Sequence, residues 1–156
     1  MRKVLLALAA TAAVAAATPA LANEVRVEAR GGAIWYGGGS DAVAGIAAGY
    51  DFDLGSSAFA GVELSADKIL TGGTKVAYGF TGRLGAKVGD AAKLFATGGY
   101  TTAPCSGFCD GNWHLGAGVN YNVGSKVYLT TEYRHFFKNA WADQGDAVTA
   151  GVGMKF

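Results

Sequence analysis

The last ten residues, AVTAGVGMKF, alternate strictly: Val148, Ala150, Val152, Met154 and Phe156 are apolar, with Ala147, Thr149, Gly151, Gly153 and Lys155 between them. A period of two places the apolar set on one face of a β-strand. The same period returns along most of the chain, in segments bounded by Gly, Asp, Asn or Ser. Eight such segments are read: Glu24 to Trp35, Ala42 to Asp53, Ala58 to Ala66, Lys75 to Val88, Lys93 to Thr102, Asn112 to Val123, Lys126 to Phe137, and the terminal stretch from Ala147. The fifth has the weakest alternation and no clear register.

The apolar faces of these segments carry no Lys, Arg, Asp or Glu. Charge collects on the opposite faces, as Arg26, Glu28, Arg30, Asp51, Glu63, Arg83, Lys87, Glu132 and Arg134, among many of the chain's 25 glycines. A water-soluble barrel would have to place every aromatic and valine inside, yet eight strands enclose only enough space for a packed set of side chains. Its outer surface would then be glycine-rich and poor in charge. Inversion removes both difficulties: the apolar faces meet lipid, and the glycines leave room for charged side chains within. Hydrocarbon also requires every backbone N–H and C=O to be paired, which a closed sheet achieves. An even number of antiparallel strands of about ten residues, apolar-out and polar-in, is the pattern of an outer-membrane barrel.

The first stretch, MRKVLLALAATAAVAAATPALAN, has Arg2 and Lys3, an apolar run from Val4 to Ala17, and the small-residue site Ala20-Leu21-Ala22. It reads as a secretory signal peptide, residues 1–22, because the run is shorter than the roughly 20 residues needed to span a bilayer. Residues 23–156 are then one barrel domain, exported through the Sec pathway. Of 13 basic residues two belong to this leader, so the remainder is close to neutral against 12 acidic ones. No basic excess marks it as a nucleic-acid binder. No helix-period segment with caps stands out in the rest of the chain, and WYGGGSD, with no helix after it, reads as a hairpin loop rather than a phosphate cradle.

With both ends of the barrel in the periplasm, odd strands climb outward and even strands return. Trp35, Tyr78, Tyr100, Trp113 and Tyr133 then fall near the outer rim, and Tyr50, Phe52, Tyr121 and Phe156 near the periplasmic rim. These are two aromatic girdles of the kind found at membrane interfaces.

The leader, HLGAGVNYNV, VYLTTEYRHF and the terminal GVGMKF together make the chain resemble the small eight-stranded outer-membrane barrels, in particular the opacity-protein and outer-membrane-protein-A-like β-barrel families. The resemblance covers the whole chain after the leader. It implies that Val152, Met154 and Phe156 form the signal read by the barrel assembly machinery, with periplasmic chaperones as further partners in biogenesis. It also implies a monomer in contact with outer-membrane lipid and lipopolysaccharide, acting as a surface or envelope-structural protein.

The inward charges are read as a salt-bridged plug rather than an ion path, since unpaired charge in so narrow a lumen is costly. CSGFC places Cys105 and Cys109 in the third outer loop, where an oxidising compartment favours a structural disulfide. Without a C-x-x-C motif or a His cluster, neither a metal nor a cofactor is expected. EYRHFFKNA faintly resembles the strand of outer-membrane lipid A deacylases that carries a His and a Ser. His135 matches the histidine, but Phe137 occupies the position of the serine, so a base there has no hydroxyl to activate. No catalytic residue is therefore expected. His114 is read as a hydrogen-bonded wall residue of the lumen. The outer loops offer Ile69, Leu70, Phe108 and Trp141 as apolar contact residues, read as headgroup anchors with adhesion as the alternative. A small channel or solute-binding barrel is the competing class. The sequence as read carries no soluble domain after the barrel, so a peptidoglycan tether is not expected.

Overall fold

The computed structural model describes residues 23–105, 110–139 and 143–156. The expected signal peptide, Phe108, Cys109 and Trp141 lie outside the described residues. Eight strands follow one another: β1 (Glu24–Tyr36), β2 (Gly39–Asp53), β3 (Ala58–Ile69), β4 (Val76–Val88), β5 (Ala92–Thr101), β6 (Asn112–Asn122), β7 (Val127–Phe136) and β8 (Gly145–Lys155). Each pairs antiparallel with its sequence neighbours, and β8 returns to β1, so the sheet is a closed up-and-down barrel. Among the described residues there is no helix.

The seam is set by Arg26↔Lys155 at one end and Tyr36↔Gly145 at the other. Beyond β8, the Phe156 N–H donates to the Val25 carbonyl at 2.9 Å and the Phe156 backbone oxygen accepts from the Val25 N–H at 3.3 Å, so Phe156 extends the closure past the last strand residue. The fifth strand, ambiguous by pattern, has a fixed register: Leu94 opposes Ala86 on β4 and Val119 on β6.

The orientation of the faces follows the alternation. Ile46, Leu64, Phe80, Leu84, Leu115 and Leu129 stand on the outer wall and are exposed, whereas Arg26, Glu28, Asp51, Glu63, Arg83 and Arg134 are buried within. A protein whose buried side chains are its charges and whose exposed ones are its leucines is built for an apolar surrounding. All nine predicted girdle residues sit outward. Tyr100 and Trp113, directly opposed on β5 and β6, pack edge-on at 5.5 Å, and Tyr50 and Phe52 do so at 4.7 Å.

Several strand ends differ from the alternation reading. β2 begins three residues early, at Gly39, because Gly37–Gly38 alone turns the chain and Tyr36 pairs with Gly39. Gly38, at φ 107°, adopts the left-handed geometry that such two-residue turns demand. β3 continues past Ala66 to Ile69, which makes Asp67 a lumen residue and turns Ile69 inward instead of leaving it as a loop anchor. β8 starts at Gly145, so Asp146 joins the outward set. The outward faces are accordingly not free of charge: Lys68 and Asp146 both stand there, at the outer rim.

Candidate functional site

The lumen is the place where this chain concentrates its chemistry. Large charged side chains fit because glycines stand across from them on the next strand: Arg26 opposes Gly49, Arg30 opposes Gly45 and Gly151, and Arg134 opposes Gly116. A Cβ at position 49 would lie 2.6 Å from the Arg26 Nη2 atom, so the missing side chain is the space the guanidinium occupies. The same device seats three rings. Phe59 faces Gly85, Phe95 faces Gly118 and Tyr128 faces Gly153, each directly across the sheet.

Glu63, on β3, is the hub. Its Oε2 accepts from Arg26 Nη2 at 2.7 Å, and its Oε1 accepts from Arg30 Nη1 at 3.0 Å and Arg134 Nη2 at 2.8 Å. Arg134 also donates through Nε to Glu132 Oε1 at 2.7 Å, and Arg30 forks onto Asp67 through Nε and Nη2 at 3.0 and 2.7 Å. The Tyr128 hydroxyl donates to Glu28 at 2.9 Å, and Thr97 to Glu132 at 2.9 Å. Towards the periplasmic end, Lys93 reaches Glu24 at 2.7 Å and Asp51 at 3.6 Å, and Lys87 reaches Asp53 at 2.6 Å. Arg83 stays about 4.0 Å from Asp51 and Glu63 and sits over the Phe95 ring at 3.9 Å from its centre, a cation–π seat.

All nine sequence-predicted lumen charges point inward. Lys87 is the outlier, pairing with Asp53 near the periplasmic mouth rather than joining the Glu63 cluster. The alternation reading missed Glu24, Asp53, Asp67, Lys93 and Lys155. Lys93 and Lys155 already had lumen parity, two residues from Phe95 and Gly153, while Asp67 was lost by ending β3 too soon. Among the described residues, lumen ion pairs join seven bases (Arg26, Arg30, Arg83, Lys87, Lys93, Arg134, Lys155) to seven acids (Glu24, Glu28, Asp51, Asp53, Glu63, Asp67, Glu132). The charge balances, as burial in a narrow interior requires.

His114 is a wall residue, 1% exposed, with its two ring nitrogens 3.1 Å from the Thr81 hydroxyl and 3.2 Å from that of Thr101. His135 is outward, and β8 brings it a partner that the β7 motif did not reveal. Asp146 lies directly opposite, with Oδ1 2.8 Å from His135 Nδ1, and also accepts from the Tyr133 hydroxyl. Phe137 meets the imidazole edge-on at 5.0 Å. This is a carboxylate-held histidine without a nucleophilic hydroxyl of its own. Cys105 is not a free thiol. Among the described residues no group of three or more His, Cys, Asp or Glu is placed to hold a metal.

A family model described as "Outer membrane protein beta-barrel domain" matches residues 4–156. No curated protein matches the chain. Solved structures of similar fold include the N-terminal β-barrel domain of OprF from Pseudomonas aeruginosa, at 14% identity and TM-score 0.62, over 85% of this chain and 97% of that one. Ail, the attachment invasion locus protein of Yersinia pestis, follows at 11% identity and TM-score 0.58, over 86% and 97%. The outer membrane enzyme PagL is similar at 16% identity and TM-score 0.60, over 82% and 97%. At such identities the likeness is one of fold.

Proposed function

Because this chain belongs to the outer membrane protein beta-barrel domain family, we propose that it serves as a non-enzymatic surface or envelope-structural barrel of the opacity type, with a lumen closed to ions. The single observation that carries this reading is the Glu63 hub, which ties Arg26, Arg30 and Arg134 across the barrel's width. Moving an ion through would require breaking several buried, charge-assisted bonds, each costly to leave unmade. In planar bilayers the purified protein is expected to give no large, stable single-channel openings. Steady conductance would instead favour a channel.

An enzymatic role would draw on His135 and Asp146. Support against it comes from position 137, where Phe137 stands beside the imidazole, and from the Tyr133 hydroxyl, which is committed to Asp146 rather than to the histidine. Nucleophilic acyl transfer needs a hydroxyl or thiol within reach of the base. Lipid A from cells with and without the protein should therefore have the same mass spectrum, and loss of an acyl chain in its presence would overturn the non-enzymatic reading.

The surrounding expectations belong to the same proposal. Residues 1–22 are removed as a signal peptide on Sec export, and Val152, Met154 and Phe156 present the aromatic-ended stripe that the assembly machinery takes up. The mature barrel is monomeric in lipid and lipopolysaccharide. Cys105 and Cys109 close a short loop, with a chain-entropy gain of about 2 kcal/mol. The outer loops anchor at the headgroups, with adhesion as the alternative surface activity.

A further inference from the structure

The lumen changes character near its outer mouth. Below, inward positions hold the charge network, with glycines and three seated rings between its members. Above the Arg30–Asp67 fork six strands each turn an apolar side chain inward, Ile34, Val43, Ile69, Ala77, Phe136 and Ala147, while β5 and β6 contribute the polar Thr101 and Asn112. These side chains ring a cavity of about 400 Å³ that opens outward and is floored by Arg30, Asp67, Glu132 and Arg134. A plug that merely sealed the barrel would continue with polar residues into the wet mouth. Apolar walls around open space gain nothing from water, and they match instead the usual make-up of small-molecule pockets, which are mostly apolar with a few placed polar groups and begin at roughly 300 Å³.

Charge narrows the occupant. The bases lining the cavity, Arg30 and Arg134, are bound to carboxylates of the closed network and have little exposure. Asp110 and Asp143 stand at the mouth as well. Only Asp143 has a cationic partner there, the exposed Lys138 at 3.4 Å, and among the described residues Asp110 has no ion pair. The adjoining residues 106–109 and 140–142 contain no charged side chain, so they leave the balance unaltered. At the rim the Lys68 ammonium is held on the Thr74 carbonyl and Lys75 adjoins Pro104, but neither lysine lines the cavity, where Asp67, Asp110, Glu132 and Asp143 outnumber Arg30 and Arg134. The lining is therefore acidic around an apolar ring, and Phe136 offers an aromatic surface beside it.

We propose that this outer cavity binds a small cationic amphipath, with its apolar body within the ring of Ile34, Ile69 and Phe136 and its ammonium at the mouth facing Asp110 and Asp143. The proposal rests on the apolar ring and the mouth carboxylates, which lie above the Glu63 hub, so it does not depend on whether the barrel below conducts.

The chain's three isoleucines provide the test: Ile34 and Ile69 line the cavity, whereas Ile46 stands on the lipid-facing wall, 64% exposed. With the full-length barrel in nanodiscs and isoleucine methyls labelled, 2-phenylethylammonium is titrated beside its uncharged analogue 2-phenylethanol and the anion 3-phenylpropionate. The ammonium should shift the Ile34 and Ile69 methyls saturably, leave Ile46 in place, and bind at least tenfold more tightly than the carboxylate. In a barrel carrying both Asp110→Asn and Asp143→Asn, which leave the apolar ring untouched, the preference for the ammonium over the alcohol should vanish. Equal binding of the carboxylate, shifts confined to Ile46, or no saturable shift at Ile34 and Ile69 would each overturn the proposal.

Discussion

Glu63 is where a single atom group carries most consequence. Three guanidinium groups converge on its two oxygens, and its side chain is 2% exposed. Glu63→Gln keeps the shape and removes the charge, leaving Arg26, Arg30 and Arg134 short of one negative partner in a buried setting. Breaking a buried network from one side costs about 3–5 kcal/mol. Urea unfolding of the variant in lipid vesicles should show a loss of that size. A stability equal to wild type would mean that the hub is not a structural element. At the same scale, Asp146→Asn weakens the hold on His135 at an exposed rim, where ion pairs contribute about 1 kcal/mol or less. Its unfolding midpoint should barely move.

At the scale of strands, cross-strand glycines are the governing device. Position 153 has no room for a side chain, since a Cβ would come within 2.2 Å of the Tyr128 ring. Gly153→Ala should displace that ring and break its hydrogen bond to Glu28, coupling β7–β8 damage to β1. The expected cost is about 1–3 kcal/mol, the range for overpacking a tight interior, read as a lowered unfolding midpoint. A midpoint at or above wild type would show that the ring has room to move. These pairings were only half legible in the sequence. The period of two assigns Tyr128 and Gly153 to inward faces but does not say that they oppose one another; that depends on register, which is set by turn length and closure at the β1–β8 seam. Strand ends failed for a related reason. Asp67, Lys68 and Asp146 read as breakers, yet they lie where strands rise beyond the apolar layer into polar surroundings, and backbone pairing continues through them.

For the whole molecule, the alternation was enough because the environment is so one-sided. Lipid on every outer face and a narrow lumen leave few placements for Arg26, Glu63 or Leu64, so parity alone sorted them. It could not anticipate the apolar outer cavity, because Ile34, Val43 and Phe136 have inward parity with apolar chemistry, and only the assembled barrel brings them around one space. A closed barrel with paired edges should also keep its structure in mild detergent and change gel mobility on boiling, as an unclosed sheet would not. The most direct test of the inside-out arrangement is environmental. Nitroxide labels placed singly at Val62 and Leu129, both outward and exposed, should in reconstituted protein be relaxed strongly by oxygen, which concentrates in hydrocarbon, and weakly by a water-soluble nickel chelate. The reverse ranking at both positions would place those faces in water and contradict the membrane barrel.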